Sequence, residues 1–327
     1  MIRRPLHFLL LLAALLGAGS LLAAAVAAAE RLLAGAPLDP ASLPLSPFEE
    51  GAGVMLMVTG AVLLAEAGWT GWQASGLRRL LDEDHAATRS DLLWFLLEIS
   101  GLGIALMVLA SAGLTLLLEA AFADAEGWRL AAGWPLALQV LALLLLGDFG
   151  QYWAHRALHS RWLWPFHAMH HAAEELTPLS TFRSHPLESV ITRLASGLLP
   201  LLALGPAPEA VAWAMAVVAA VSALTHSLLP MPGWVERWLI VGPHLHRLHH
   251  STEAAHHDRN FAIFCPWFDR LFGTLHWQAA PPAGLGAPDA AYDTRRPLAD
   301  MARAYRIALS RWRGAAPAVA AAPSPAP

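Results

Sequence analysis

Lysine is absent: all 21 basic residues of this 327-residue chain are arginine, and they are scattered along it. Such a distribution forms no basic track that could neutralise a run of phosphates, so nucleic-acid binding is not expected. Cysteine is nearly absent as well. Cys265 stands alone, which excludes an internal disulfide and any CxxC pair for zinc or redox work. Charge is scarce, at 14% of residues, and the formal net charge is -4. There is no HExxH, no GxGxxG after a strand, no haem or iron-sulfur motif and no repeat at a solenoid period. Any metal chemistry must therefore rely on histidine, and any redox chemistry must draw electrons from outside the chain.

What is present is apolar. Hydrophobic residues make up 56% of the chain, and a mean hydropathy of +0.46 puts it in a bilayer. Apolar runs cover 6–29, 51–68, 92–121, 134–147, 190–204 and 210–229. A span takes about 20 helical residues, so the first three runs and the last are expected to cross. The run from Trp134 is long enough only if its helix continues through Asp148 and Tyr152 toward the first histidines. The run 190–204, followed by Gly205-Pro206-Ala207-Pro208, reads as half of a hairpin with 210–229. Arg3 and Arg4 precede the first run, and Arg78, Arg79 and Arg89 separate the second from the third. The segments 30–50 and 122–133 hold one arginine each, so the positive-inside rule puts the N-terminus and every histidine cluster in the cytosol. The expected fold class is all-α, an integral-membrane helical bundle with a cytosolic histidine-rich helical cap. Its expected setting is a bacterial inner membrane. Met-Ile-Arg-Arg followed by an apolar core and Ala27-Ala28-Ala29 leaves a cleaved signal peptide open as an alternative for the first run.

Sixteen histidines are gathered unevenly. Three clusters stand out: His155 and His159 as HxxxH; His167, His170 and His171 as HxxHH; and His246, His249 and His250 as a second HxxHH. Positions i, i+3 and i+4 share a helix face, so each cluster presents two or three imidazoles to one point. At this histidine frequency one HxxHH arises by chance about 0.04 times per chain, so two copies and an HxxxH are not accidental. Eight imidazoles without a thiolate exceed one tetrahedral zinc site and point to two metal ions, of a kind that spacing alone does not select. His226, at the end of the second hairpin helix, reads as a ninth ligand, with a histidine bound to a helix carbonyl as the alternative. Asp148, seven residues and two helical turns before His155, is placed to receive the free N–H of a ligand imidazole. The alternative for Asp148 is an interfacial carboxylate paired with Arg156. His244, His256 and His257 read as solvated, and His7, His85 and His276 as structural.

In their order, and split by an apolar hairpin, these motifs resemble the fatty acid hydroxylase and sterol desaturase superfamily of membrane di-iron oxidoreductases. The likeness runs from about Gly147 to Thr274. It includes Asp148-Phe-Gly-Gln-Tyr152-Trp153-Ala-His155-Arg156, Arg183-Ser-His185-Pro186-Leu-Glu188, Pro243-His-Leu-His246-Arg-Leu-His249-His250-Ser251, Asn260-Phe261 and Asp269-Arg-Leu-Phe-Gly-Thr274. Ala262 stands where the family usually has glycine, and Trp267-Phe268-Asp269 separates a tryptophan from its aspartate by one residue. The HxxxH spacing and Pro230 four residues past His226 tilt the likeness toward sterol desaturase-like or alkylglycerol monooxygenase-like relatives.

The resemblance implies two non-haem iron ions, a membrane lipid substrate, dioxygen, and a separate reductase or electron carrier. Hydroxylation of a sterol-, fatty acyl- or ether-lipid-like C–H bond is the expected reaction, with desaturation at the same site as an alternative. A membrane metal-binding or transport protein is the reading from another class. It fits less well, because transport sites are built near the bilayer midplane and these clusters lie outside the apolar runs. Arg183, His185, Asn260 and Asp269 are expected behind the ligands or against the substrate, with Asp258 and Arg270 as further braces. The expected division is a two-span membrane segment at 1–91, a catalytic domain at 92–277, and a tail at 278–327 that is disordered from about 314.

Overall fold

The computed structural model describes residues 49–81, 86–110, 128–287, 292 and 296–313. The first apolar run and the end of the tail lie outside the described residues. Among the described residues the secondary structure is helical apart from one antiparallel bridge between Ser251 and Leu285. Among the described residues, four helices are long and apolar enough to cross a membrane. They are α1 (Glu49–Thr70), α5 (Leu136–Leu158), α7 (Pro186–Leu204) and α8 (Pro208–Thr225). Shorter helices fill the gaps: α2 (Gly76–Leu81), α3 (Ala86–Ile99), α4 (Leu102–Ala110) and α6 (Trp164–His171). Later in the chain come α9 (Gly233–Trp238), α10 (Pro243–His249), α11 (Trp267–Leu271) and α12 (Pro297–Trp312). An all-helical integral membrane protein is what the composition required, since in lipid every backbone N–H must find its partner within the segment.

α5 does what the short run from Trp134 demanded. It runs for 23 residues, continues past Asp148 and Tyr152, and carries His155 on its last turn. α7 and α8 form the expected hairpin, closed by Gly205 in a left-handed conformation at φ 52° and by Pro208 at the start of α8. At that far end Gln139 accepts the Ala207 N–H at 2.7 Å and donates to the Trp134 carbonyl at 2.8 Å, so a polar side chain inside α5 ties the hairpin turn down.

The run 92–121 differs from its expectation as one span. Gly101, at φ 77°, ends α3, and the chain restarts as α4. A left-handed glycine closes a helix by design, and its N–H turns back to the Glu98 carbonyl at 3.0 Å. The acidic residues on α3, Asp91 and Glu98, belong to ion pairs with Arg183 and Arg193.

α5 and α7 approach closely through glycine. Residues 194–198 of α7 form a wide π turn, which absorbs Pro200, a residue with no N–H to offer the Ser196 carbonyl. A Cβ added at Gly150 would lie 2.0 Å from the Ala195 carbonyl oxygen, and one at Gly147 would lie 3.0 Å from that of Ser196. Small residues let membrane helices meet backbone to backbone. Gly150→Ala is therefore expected to destabilise the protein by about 1–3 kcal/mol, the usual cost of overpacking. Gly60→Ala, where a Cβ meets nothing within 4 Å, is expected to leave the melting temperature in detergent unchanged. Equal melting of the two variants would rule out the close approach.

Candidate metal centre

The C-terminal ends of α1, α5 and α8 and the N-terminal end of α7 meet at one end of the bundle, and α6 and α10 cap it. Nine imidazoles gather there in two adjoining groups, each with its candidate nitrogens within 4.8 Å of one another. His155, His159, His167, His171 and His249 make one, and His170, His226, His246 and His250 the other. Helix periodicity explains the interlock. Residues i and i+4 sit about 40° apart around the axis, while i+3 lies on the other side of i. On α6, His167 and His171 enter the five-histidine group and His170 crosses to the four-histidine group. On α10 the pattern is reversed, since His246 and His250 stay together and His249 crosses. The groups touch through the His171 and His250 rings, whose centroids are 4.3 Å apart.

Behind six of the nine imidazoles, fixed acceptors hold Nδ1. His155 donates from Nδ1 to the Phe261 carbonyl at 2.8 Å, His170 to that of Arg183 at 3.1 Å, His226 to that of Ser222 at 2.8 Å and His249 to that of Arg259 at 2.7 Å. His167 Nδ1 meets Glu188 at 2.8 Å, and His159 Nδ1 lies 3.4 Å from Asp258. A proton held on Nδ1 leaves a lone pair on Nε2. Those nitrogens converge: His155 and His167 face each other at 3.0 Å, His171 and His167 at 3.1 Å, His226 and His246 at 3.0 Å, and His250 and His246 at 3.1 Å. The Nε2 atoms of His159 and His249 are buried with no hydrogen-bond partner. Burial, and after it the neighbouring imidazoles, hold His167, His170, His171, His246, His249 and His250 well below the ordinary histidine range. They are neutral at pH 7, the form that donates a lone pair to a cation. Opposed lone pairs in a buried pocket suit metal ions, and the donor set fits two.

Asp148 takes a different partner from the expected one. Its oxygens accept the backbone N–H groups of Ile263, Phe264 and Cys265 at 3.1, 2.9 and 3.0 Å, and no imidazole is among its hydrogen-bonded partners. Three amides satisfy a buried carboxylate better than one ring N–H would. Asp148 still serves the site at one remove, because it pins the loop whose Phe261 carbonyl orients His155. Asp269 does the same from the other side, accepting the Phe261 and Ala262 amides at 2.8 and 2.9 Å and the Thr274 hydroxyl at 2.7 Å. Asn260, left-handed at φ 58°, donates to the Leu245 and His276 carbonyls and joins α10 to segment 274–276. Arg183 acts through its carbonyl, while its guanidinium pairs with Asp91.

His185 meets neither imidazole group. It caps α7 by accepting the Leu187 N–H at 3.0 Å and presents Nε2 to the Met301 carbonyl of α12 at 3.3 Å. His256 is buried rather than solvated, packed on His276 with ring centroids 4.9 Å apart. The partner that the sequence reading missed is Glu188. It was visible only as the last residue of Arg183-Ser-His185-Pro186-Leu-Glu188, and nothing in the spacing joined it to His167.

The fatty acid hydroxylase family matches residues 140–274. Among curated proteins, ornithine lipid hydroxylase OlsE of Rhizobium tropici is 36% identical over 144 residues, covering 44% of this chain and 43% of its own. Very-long-chain aldehyde decarbonylase GL1-8 of Oryza sativa subsp. indica is 33% identical over 145 residues, 42% of this chain and 51% of its own. The chain thus spans about half or less of the length of the curated relatives it matches, down to 23% for very-long-chain aldehyde decarbonylase GL1-5 of Oryza sativa subsp. indica. No solved structure matches it. The segment that matches the fatty acid hydroxylase family runs from α5 to Thr274 and contains all nine gathered histidines, so the similarity falls on the candidate metal centre itself.

Proposed function

We propose that this protein hydroxylates a membrane lipid with dioxygen, holding one iron ion in each histidine group. The observation that carries the reading is the pair of imidazole groups at the end of the membrane helices, six of the nine rings held at Nδ1 and the Nε2 atoms converging. Zinc, the other common occupant of imidazole sites, exchanges no electrons, whereas iron does. Bound iron supplies the power to reduce dioxygen and attack an unactivated C–H bond, which side-chain acid-base chemistry lacks. In the balanced reaction one oxygen atom enters the C–H bond and the other leaves as water, with two electrons and two protons consumed. The electrons come from a separate reductase or carrier.

The chain's own residues supply position and dryness. The Phe261, Arg183, Ser222 and Arg259 carbonyls, with Glu188 and Asp258, fix ring orientation before any ion arrives. Trp164 and Phe261 lie against the five-histidine group, with centroids 5.1 Å from the His171 ring and 5.0 Å from the His159 ring respectively. A site at the ends of the spans is reached sideways from one leaflet, so the reactive carbon lies near the headgroup. The 36% relative is named for ornithine lipid, which makes an ornithine-lipid-like molecule the first substrate to test. The HxxxH spacing favours sterol- or ether-lipid-like ones, which also react near the headgroup. Intact-lipid mass spectrometry of cells with and without the protein is expected to reveal a lipid one oxygen atom heavier. No change, despite full iron loading and a working electron supply, would return weight to metal binding or transport.

The arginine asymmetry supports a cytosolic site. A reporter fused after Thr274 is expected to be active in the cytosol. Activity only in the periplasm would remove the assumed access to cytosolic reductant.

A further inference from the structure

The fixed acceptors behind the five-histidine group all come from the family segment 140–274: the Phe261 and Arg259 carbonyls, Glu188 and Asp258. The acceptors behind the four-histidine group, the Arg183 and Ser222 carbonyls, lie in the same segment, but what holds their surroundings does not. Two buried carboxylates from earlier in the chain, Glu66 and Asp91, end on the loops that orient it.

Glu66 lies inside α1 and is 0% exposed. A carboxylate on a membrane helix is costly unless its oxygens are satisfied, and such a residue has a task. Both oxygens are taken by backbone amides. Oε1 accepts the Gly76 N–H at 2.6 Å and Oε2 the Leu228 N–H at 2.7 Å. Leu228 is two residues past His226, in the turn that ends α8. Arg247, from the helix that carries His246 and His250, grips the same turn by donating to the Ser227 carbonyl at 3.0 Å. Glu66 and Arg247 thus lock α1, the end of α8 and α10 together where His226 and His246 converge.

Asp91 on α3 is also 0% exposed. Oδ1 accepts Arg183 Nε at 2.5 Å and Oδ2 the Ser180 hydroxyl at 2.7 Å. Ser180 in turn accepts the Thr177 N–H at 3.0 Å, so the 3-10 turn Pro178–Phe182 is held along its length. The next carbonyl, that of Arg183, receives the His170 Nδ1–H. The two braces meet at Gly76, where an added Cβ would lie 3.0 Å from Glu66 Oε1 and 3.2 Å from Thr177.

We propose that Glu66 and Asp91 are positioning residues for the four-histidine group, so that helices outside the family segment complete one of the two metal positions. The proposal rests on the two-metal reading of the site. It gives the N-terminal helices a part in metal loading in addition to anchoring.

The test is anaerobic titration of the metal-free full chain with cobalt(II), read by stoichiometry and by the visible d–d absorption of the bound ion. The parent is expected to take up two equivalents. In Glu66→Gln one amide loses its acceptor, and in Asp91→Asn either Ser180 or Arg183 does. Each variant is expected to bind one equivalent as tightly as the parent and the other about 10- to 100-fold more weakly, the usual consequence of losing a partner behind a ligand. The spectrum of the tight equivalent should match that of His170→Ala, in which only the five-histidine group is whole. Asp258→Asn should weaken the opposite position. Should Glu66→Gln fail to fold, Gly76→Ala presses on the same oxygen more gently and is expected to weaken the same equivalent. Two equivalents bound as tightly in the variants as in the parent would overturn the positioning role, as would equal weakening of both positions, which marks a general structural effect. A parent that took up no cobalt would overturn the two-metal reading itself.

Discussion

His249→Ala is expected to lower lipid turnover to below about 1% of the parent, a loss beyond the 10- to 100-fold typical of partners behind the ligands. His249 is the one imidazole that α10 sends across to the five-histidine group, and its Nε2 is buried there without another partner. Alanine removes that donor and also strands the Arg259 carbonyl that the ring held at 2.7 Å. His170→Ala is the mirror case, since His170 is the ring that α6 sends to the four-histidine group and its loss leaves three imidazoles. Each variant is expected to hold about one iron per chain where the parent holds two, measured by elemental analysis. His7→Ala, far from the clusters in sequence, is expected to match the parent in metal and in turnover. Survival of both metal content and activity in the cluster variants would end the two-iron reading.

The crossing of single histidines between the groups was not legible in the sequence, although the clusters were. HxxHH announces a shared helix face, because the angular separations of i, i+3 and i+4 follow from helix geometry alone. Which imidazole goes to which group depends on how α6 and α10 face each other, and no local pattern encodes that. His226 was legible for a different reason: an ionisable residue at the end of an apolar helix is rare enough to stand out. Its two readings also prove compatible, for Nδ1 donates to the Ser222 carbonyl while Nε2 faces His246. The continuation of α5 through Asp148 to His155 could be deduced because a bilayer demands length and the apolar run alone was too short.

Carboxylates misled where counting along one helix stood in for tertiary contact. Asp148 shares a face with His155, yet the loop 263–265, more than 100 residues on, brings three amides to it. Glu188 and His167 are 21 residues apart on different helices, and only the packing of α6 against α7 joins them. The run 92–121 looked continuous because leucine and alanine dominate it, whereas one glycine in a left-handed conformation was enough to break it. Glu66 and Asp91 were passed over for a related reason. They lie before the motif-bearing segment, and their partners are backbone amides, a serine and an arginine far along the chain.

With a matching reductase and a membrane lipid substrate, the product is expected to carry one oxygen atom derived from labelled dioxygen. The argument turns on what the site can hold still. Hydroxylation and desaturation share the removal of a first hydrogen and part only afterwards, when oxygen either enters at that carbon or a second hydrogen leaves from the next. Desaturation therefore needs two neighbouring carbons aligned at once, which suits a straight acyl segment lying deep in the bilayer. The imidazole groups lie instead at the ends of the candidate spans, and under the proposed function that places them beside the headgroup layer, where one carbon near the polar part of a lipid would be presented rather than an aligned pair. Label in the product, with its hydrogen count unchanged, is the result that this placement predicts. Loss of two hydrogens without label would mean that the substrate reaches the site along its chain, and the desaturase reading would replace the hydroxylase one while leaving both histidine groups in their roles.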